Sequence, residues 1–339
     1  SIIFKILSII LLFIFVKRPS DYLIYAAITV LASVGSNFLN FVHARSFIHI
    51  RLTLNTRWKY HLKPILTIFA SSVAVTIYVY SDNTILGLMK NDYAVGIYST
   101  SVKIYQIAQS LLSAVLTVTI PRLAMLWGQR RRREYNDVLT RVINTLGVLV
   151  LPASVGLLML SREVVLIIAG PKFLPSVNSL RIITWAIIFS IFSWIFSDCV
   201  LIPAKREKRV LQNTLITAVI NIVLNFILIP TMSYDGTSLS TVLAELSVMI
   251  MNGYSCKDII KPIIFKKETL KNLLESIIGC IGIVIVCLLC QWGWDSMTWK
   301  TVFSLILSVP MYGAILVLLK NKIAISMLKN AINIIKNKI

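Results

Sequence analysis

The sequence predicts an all-α polytopic membrane protein with about ten transmembrane helices. Of its 339 residues, 57% are hydrophobic and only 14% charged, where soluble domains carry roughly 25% charge. The apolar residues come in runs close to the ~20 needed to cross a bilayer, separated by short charged stretches. The net charge of +20 is unevenly spread. Of the 34 Lys and Arg, 24 fall in alternate loops (45–63, 122–133, 205–209, 257–271 and the tail from 320), and 6 in the other loops. That bias places the first set, and both ends of the chain, on the cytoplasmic side. Basic clusters between membrane spans also explain the charge without nucleic acid as a partner.

Taken in order, the spans are 1–16, 22–44, 64–88, 95–120, 138–160, 179–203, 210–230, 237–256, 272–290 and 300–319. Ser1 opens directly in an apolar run, with no charged n-region and no small-residue cleavage site. This is not a signal-peptide pattern; it reads as a piece whose N-terminal part is missing. The basic segment 45–63 follows, where Ile48 to Leu54 alternates and is assigned to neither helix nor strand. Pro64, Pro152 and Pro310 mark helix starts or kinks. Val164 to Ala169 is too short to cross and is expected to dip into the outer interface, broken by Gly170-Pro171 and Pro175. Trp58 and Trp127 fall in cytoplasmic loops, and Trp292, Trp294 and Trp299 in one outward loop, where interfacial aromatics belong. In the tail, Ile325, Leu328, Ile332, Ile335 and Ile339 recur among Lys322, Lys329, Lys336 and Lys338, an amphipathic helix for the cytoplasmic leaflet.

Span 95–120 carries the clearest functional signal. Ser99, Lys103, Gln106, Ser110, Ser113 and Thr117 recur at spacings of three and four, forming one polar stripe. A membrane helix with a Lys on such a stripe is best explained by water or a polar solute along it. Hydroxyls alone would be satisfied by their own helix carbonyls. Rise per residue puts Asp82 about 9 Å and Lys103 about 12 Å below the outward surface, at similar height and able to pair. Asn225, Asn221 and Glu245 fall at roughly 8, 14 and 12 Å, with the two Asn sharing a face. Asp198 and Arg181 lie nearer span ends and are expected to reach headgroups, while Trp185 and Trp194 are too deep for belt residues.

Several chemistries are set aside. No phosphate-binding G-x-x-x-x-G-K-[ST] occurs, and the outward loops hold no paired carboxylates or Ser/His constellation, so an enzyme is not expected. Cys199, Cys256, Cys280, Cys287 and Cys290 sit in apolar segments without ligand partners and read as buried hydrophobes. His43, His49 and His61 lack metal-ligand spacing. No cofactor or metal is indicated.

The block SDNTILGLMKNDYAVGIYSTSVKIYQ at 81–106 resembles the signature of bacterial polysaccharide-unit flippases of the Wzx type. These belong to the multidrug/oligosaccharidyl-lipid/polysaccharide exporter (MOP) superfamily. The similarity rests on Asp82, ILG at 85–87, Gly96, Tyr98 and Lys103, then PRLAML at 121–126, LPASVGLLML, IIAGPKFLPSVNSLRII and NIVLNFILIPTMSYDGTSLSTVLAE at 221–245. The resemblance implies 1–44 as the last two helices of an N-terminal lobe, 45–63 as a basic linker and 64–256 as a complete six-helix lobe. It further implies 257–319 as an extra helix pair and 320–339 as the amphipathic tail. The implied function is flipping of undecaprenyl-pyrophosphate-linked oligosaccharide units across the bacterial cytoplasmic membrane for O-antigen, capsule or exopolysaccharide assembly. Substrate, membrane lipids and polysaccharide polymerase or assembly proteins would be the partners. Lys103, Gln106, Ser99, Ser110, Ser113, Asn221 and Asn225 would line the substrate cavity, with Asp82 and Glu245 as coupling carboxylates or ion-pair partners. The alternatives are a multidrug or cation exporter of the same superfamily, which would want a more acidic or aromatic cavity, and a membrane glycan polymerase or ligase.

Overall fold

The structure, a computed structural model, describes residues 2–18, 21–47, 62, 80–293 and 297–336. It divides into two compact units, residues 1–69 and 70–339. In the first, α1 (Ile2–Phe15) and α2 (Tyr22–Phe47) are joined by a turn. Asp21 closes that turn by accepting the backbone N–H groups of Lys17 and Arg18 at 3.0 and 2.9 Å. The alternating segment Ile48 to Leu54, with His49 and His61, lies outside the described residues.

The second unit begins, among the described residues, with α3 at 80–89, the end of the expected span 64–88. Asn91 caps α4 (Asp92–Gly128), its side chain accepting from Ala94 N at 2.9 Å and so satisfying one orphan donor of the first turn. At 37 residues α4 is about 55 Å long and outreaches the bilayer core. α5 (Arg132–Met159) follows a tight turn in which the Arg132 guanidinium sits 3.3 Å above the Trp127 ring. The short apolar run forms its own helix, α6 (Ser161–Ala169), ended by Gly170 at φ 84°, where a side chain would be strained.

α7 (Ser176–Trp194) passes without a break into a π-helix at Ile195–Leu201. Such a turn disturbs the regular carbonyl ladder. Fully buried Tyr135 donates its hydroxyl to the Cys199 carbonyl at 2.7 Å, which satisfies an acceptor there. α8 (Glu207–Ser255) is two spans, 210–230 and 237–256 in the expectation, bent at Ser233 (φ 51°, ψ −129°). Gly236 is obligatory at this bend: a Cβ there would lie 2.6 Å from the Leu228 carbonyl oxygen. The returning half is zipped to the first by Asn213–Asn252 at 2.8 Å and Asn225–Ser240 at 2.6 Å.

A short helix, α9 (Lys257–Ile264), leads to the antiparallel pair α10 (Lys267–Gly293) and α11 (Met297–Leu318). This pair packs on α5, where Tyr312 donates to the Val148 carbonyl at 2.7 Å. The tail helix α12 (Lys322–Lys336) is anchored by buried Asn321, which donates to Asn272 and Glu275 and accepts the N–H groups of Ile323 and Ala324. All five cysteines are free and buried. Seven of these helices are long and apolar enough to cross a membrane, α8 being long enough for two crossings. Contacts between spans rely on small hydroxyls, as between Ser179 and Ser238 at 2.6 Å, because lipid is as apolar as a leucine and supplies no hydrophobic drive.

A polar cavity inside the second unit as candidate functional site

α3, α4, α7 with its π-helical end, and both halves of α8 line a partly open cavity of about 410 Å³. Each helix turns a polar face inward at helical spacing. α4 contributes Tyr98, Tyr105 and Gln109; α8 contributes Thr214, Thr217 and Asn221, then Thr241, Glu245 and Asn252 on the return. Asp82 closes one end. Buried to 7% exposure, it accepts from Asn225 Nδ2 at 2.6 Å and from the hydroxyls of Tyr98 and Thr241, both at 2.8 Å. Asn225 is itself held by Ser240 and by Asn221 Oδ1. A buried carboxylate receiving three hydrogen bonds is satisfied without a cation.

The expected Asp82–Lys103 pair does not form; among the described residues Lys103 is exposed and makes no ion pair. The cause is azimuth. Tyr98, which faces Asp82, and Lys103 are five residues apart, so their side chains diverge by about 140° around the helix. Of the stripe, only Gln106 lines the cavity. Ser99 donates to Asn83 at 3.1 Å, and Ser110, Ser113 and Thr117 donate to carbonyls of their own helix. Asn221 and Glu245 line the cavity, and Asn225 stands behind Asp82.

One further expectation is corrected. Asp198 does not reach for headgroups; the π-helix turns it to the cavity, beside Ser197, whose hydroxyl it accepts at 2.8 Å. Arg181, though exposed, donates Nε to Ser161 at 2.9 Å. Trp194 faces the cavity, whereas Trp185 is half exposed on the outside of the unit.

Residues that sequence reasoning missed are Tyr105, Gln109, Thr241 and Asn252. Their signal was present as second polar faces: Tyr98, Tyr105 and Gln109 at spacings of seven and four, and Asn213, Thr217, Asn221 and Asn225 at fours.

Chemically the cavity is acidic, aromatic and neutral-polar. Asp82, Asp198 and Glu245 line it with Tyr98, Tyr105 and Trp194, and no Lys or Arg does. Glu245 has no hydrogen-bond or ion-pair partner among the described residues. No three His, Cys, Asp or Glu cluster as metal ligands among those residues. The oxygens of Asp82, Asn221 and Thr241 are hard donors of the kind small cations take.

A bundle of apolar helices around a polar, carboxylate-bearing cavity defines a polytopic membrane protein with a transporter-like interior. Known proteins agree. The family described as "Polysaccharide biosynthesis protein" matches residues 1–127, and the family MatE matches 67–227. Lipid II flippase MurJ of Bacillus subtilis is 28% identical over 202 residues, covering 56% of this chain and 35% of that protein. A putative O-antigen transporter of Shigella dysenteriae is 24% identical over 256 residues, covering 73% and 62%. A probable low-salt glycan biosynthesis flippase, Agl15 of Haloferax volcanii, is 25% identical over 174 residues, covering 51% and 37%. Among solved structures, Lipid II flippase MurJ in an inward closed conformation superposes with a TM-score of 0.70 at 18% identity, covering 93% of this chain and 66% of that one. The chain therefore spans about a third to two thirds of the length of these relatives. Over residues 1–127 and 67–227 it is thus similar to these two families, and its fold is that of the flippase structure.

Proposed function

We propose that the chain forms part of a flippase for lipid-linked oligosaccharides in a bacterial cytoplasmic membrane, with the basic loops and both chain ends on the cytoplasmic side. The observation that carries this reading is Lys103: a cation on a continuous polar stripe of a membrane helix, exposed on its unit and held by no carboxylate among the described residues. A pyrophosphate suits that cation, and the hydroxyls of Ser99, Ser110 and Ser113, with Gln106, suit a glycan. The names of the relatives, flippases and an O-antigen transporter, support the same class of cargo. The cavity on the inner face of α4, which Gln106 also lines, then serves energy coupling. Asp82 and Glu245 can exchange a proton or small cation with the membrane gradient while the lobes rock in alternating access. Catalysis of bond changes has no place in this scheme.

One observation favours a second reading. The cavity is acidic and aromatic, the environment a lipophilic cation would choose, so export of organic cations is the rival. Proteoliposomes containing the protein and a fluorescent lipid-linked oligosaccharide separate the two. The flippase reading expects the glycan to change sides with no change in its length or linkage, and more slowly once the ion gradient is collapsed. No movement of this lipid, together with gradient-dependent efflux of a lipophilic dye, would establish the rival instead.

A further inference from the structure

A second cavity lies in the same unit, behind the wall that α7 and α8 present to the first. Its volume is about 440 Å³, within the roughly 300–1,000 Å³ of small-molecule sites. Where Ser193, Trp194 and Asn252 face the polar cavity, Phe192, Phe196 and Gly253 face this one. α5 and α9 add Gly147 and Ile260 to an almost wholly apolar lining. Of its few polar side chains, Asn272 donates to the Asn144 carbonyl and Thr269 to the Ile263 carbonyl, both at 3.0 Å. The rim is apolar and open, with Ile250 58% and Phe265 68% exposed.

Charge surrounds this rim. α9 is amphipathic, burying Ile260 and Ile263 while Lys257 and Lys261 are exposed, as suits a helix lying at a membrane surface between two spans. Lys266, Lys267 and Lys271 follow, all exposed. The acids of the segment are engaged: Asp258 by Arg206, Glu268 by Lys322, and Glu275 by Lys271 and Asn321. Lys257 lies 4.1 Å above the Tyr254 ring. Lys261, Lys266 and Lys267 form no ion pair among the described residues, although Lys266 lies within electrostatic reach of Glu268.

We propose that this cavity binds an anionic phospholipid of the leaflet on the basic side, one acyl chain between α5, α7 and α9 and its phosphate at Lys261, Lys266 and Lys267. The chain supplies what the apolar lining lacks, and the headgroup supplies what the lysines lack. A lipid-linked glycan fits less well. The α7–α8 wall separates this cavity from the polar one, so a headgroup anchored here has no path to Gln106 or Glu245. A bound acyl chain backs that wall directly, and this gives phospholipid composition a route to the transport cavity.

The test is photolabelling of the purified chain in nanodiscs. The probes are phosphatidylglycerol bearing a mid-chain diazirine and phosphatidylcholine with the same labelled chain. We expect labels on Phe192, Phe196 and Met249, with phosphatidylglycerol exceeding phosphatidylcholine about tenfold. An added Cβ at Gly147 meets nothing within 4 Å, so Gly147→Leu fills the cavity without backbone collision and should suppress labelling. The triple change Lys261→Gln, Lys266→Gln and Lys267→Gln should erase the preference while keeping chain labelling. Should Gly147→Leu fail to fold, the triple variant and competition on the wild type decide. Equal labelling by the two lipids overturns the proposal in favour of an unselective annular lipid. So does displacement of the label by polyprenyl phosphate at a concentration where unlabelled phosphatidylglycerol has no effect, which would assign the site to the transport substrate.

Discussion

The charges inside the bundle and those at its basic end are handled in opposite ways. At the basic end carboxylates are paired with cations: Glu134 with Arg131, Asp258 with Arg206, Glu275 with Lys271 and Glu268 with Lys322. Inside, no such pair forms among the described residues. Asp82 is held by a tyrosine, a threonine and an asparagine, Glu245 by nothing, and Lys103 faces away from both. A buried ion pair is internally neutral and asks for no third party; its desolvation is compensated only by its own partner. Keeping acid and base apart leaves each available to a mobile ion or substrate. The difference thus separates acids held by ion pairs at the basic end from inner acids held by neutral donors or by none.

The strongest way to break this comparison is to test whether Lys103 and Asp82 are independent. Lys103→Ala should reduce flipping on the order of 100-fold with folded protein retained, since the anion loses the cation of the polar stripe. Lys103→Arg should keep part of the activity. Asp82→Asn should lower transport through loss of gradient dependence, a different signature. Because the two do not touch, the double mutant should show the sum of both effects, measured as flipping and as thermal stability together. Rescue of either quantity in the double mutant would mean that the pair forms in the working cycle.

A smaller effect sharpens the inner half. Tyr98→Phe removes a hydroxyl that is 2.8 Å from Asp82 and 3.0 Å from Thr241. The carboxylate retains two donors, so the loss should be about 1–3 kcal/mol of stability in denaturant-monitored unfolding. A neutral result would show that Asp82 is solvated, and the contrast with the basic end would weaken.

Much of this arrangement was legible before any coordinates. Hydropathy separated 210–230 from 237–256, the two arms of α8, because the bilayer fixes the length of a span. Of the five polar groups assigned to one depth band, Asp82, Asn221 and Glu245 line one cavity and Asn225 stands behind Asp82, while Lys103 faces elsewhere. Depth follows from rise per residue alone, whereas azimuth depends on which face of a helix is packed inward. That is why Lys103, at the right height, was given the wrong neighbour. α4 has two polar faces, and periodicity shows both without saying which is enclosed. Asp198 escaped for a local reason: a π-turn shifts the register by a fraction of a turn, and no residue pattern announces it.

The smallest expected effect tests the outer half of the comparison. Arg206 grips Asp258 with two hydrogen bonds of 2.7 Å, and a third from Arg206 to the Ser255 carbonyl ties the turn before α8 to its far end. The guanidinium beside it holds the Asp258 carboxyl below the usual carboxylate range. A depressed value means the folded state favours the charged acid, so the pair's contribution is complete above the unfolded value of about 3.9. It is lost as pH falls below that and through the folded value. Both side chains are well exposed, 37% and 54%, so solvent screening limits the contribution to about 0.2–1 kcal/mol. Arg206→Gln should therefore lower the unfolding temperature slightly at pH 7, and the gap from wild type should close as pH drops below about 4. High salt should close it at neutral pH as well, because the pair is exposed to the ions. A gap that persists in acid would mean that the Ser255 contact, not the ion pair, ties the two ends of α8. The basic end would then depend on a cation donating to a neutral carbonyl and not on a paired carboxylate.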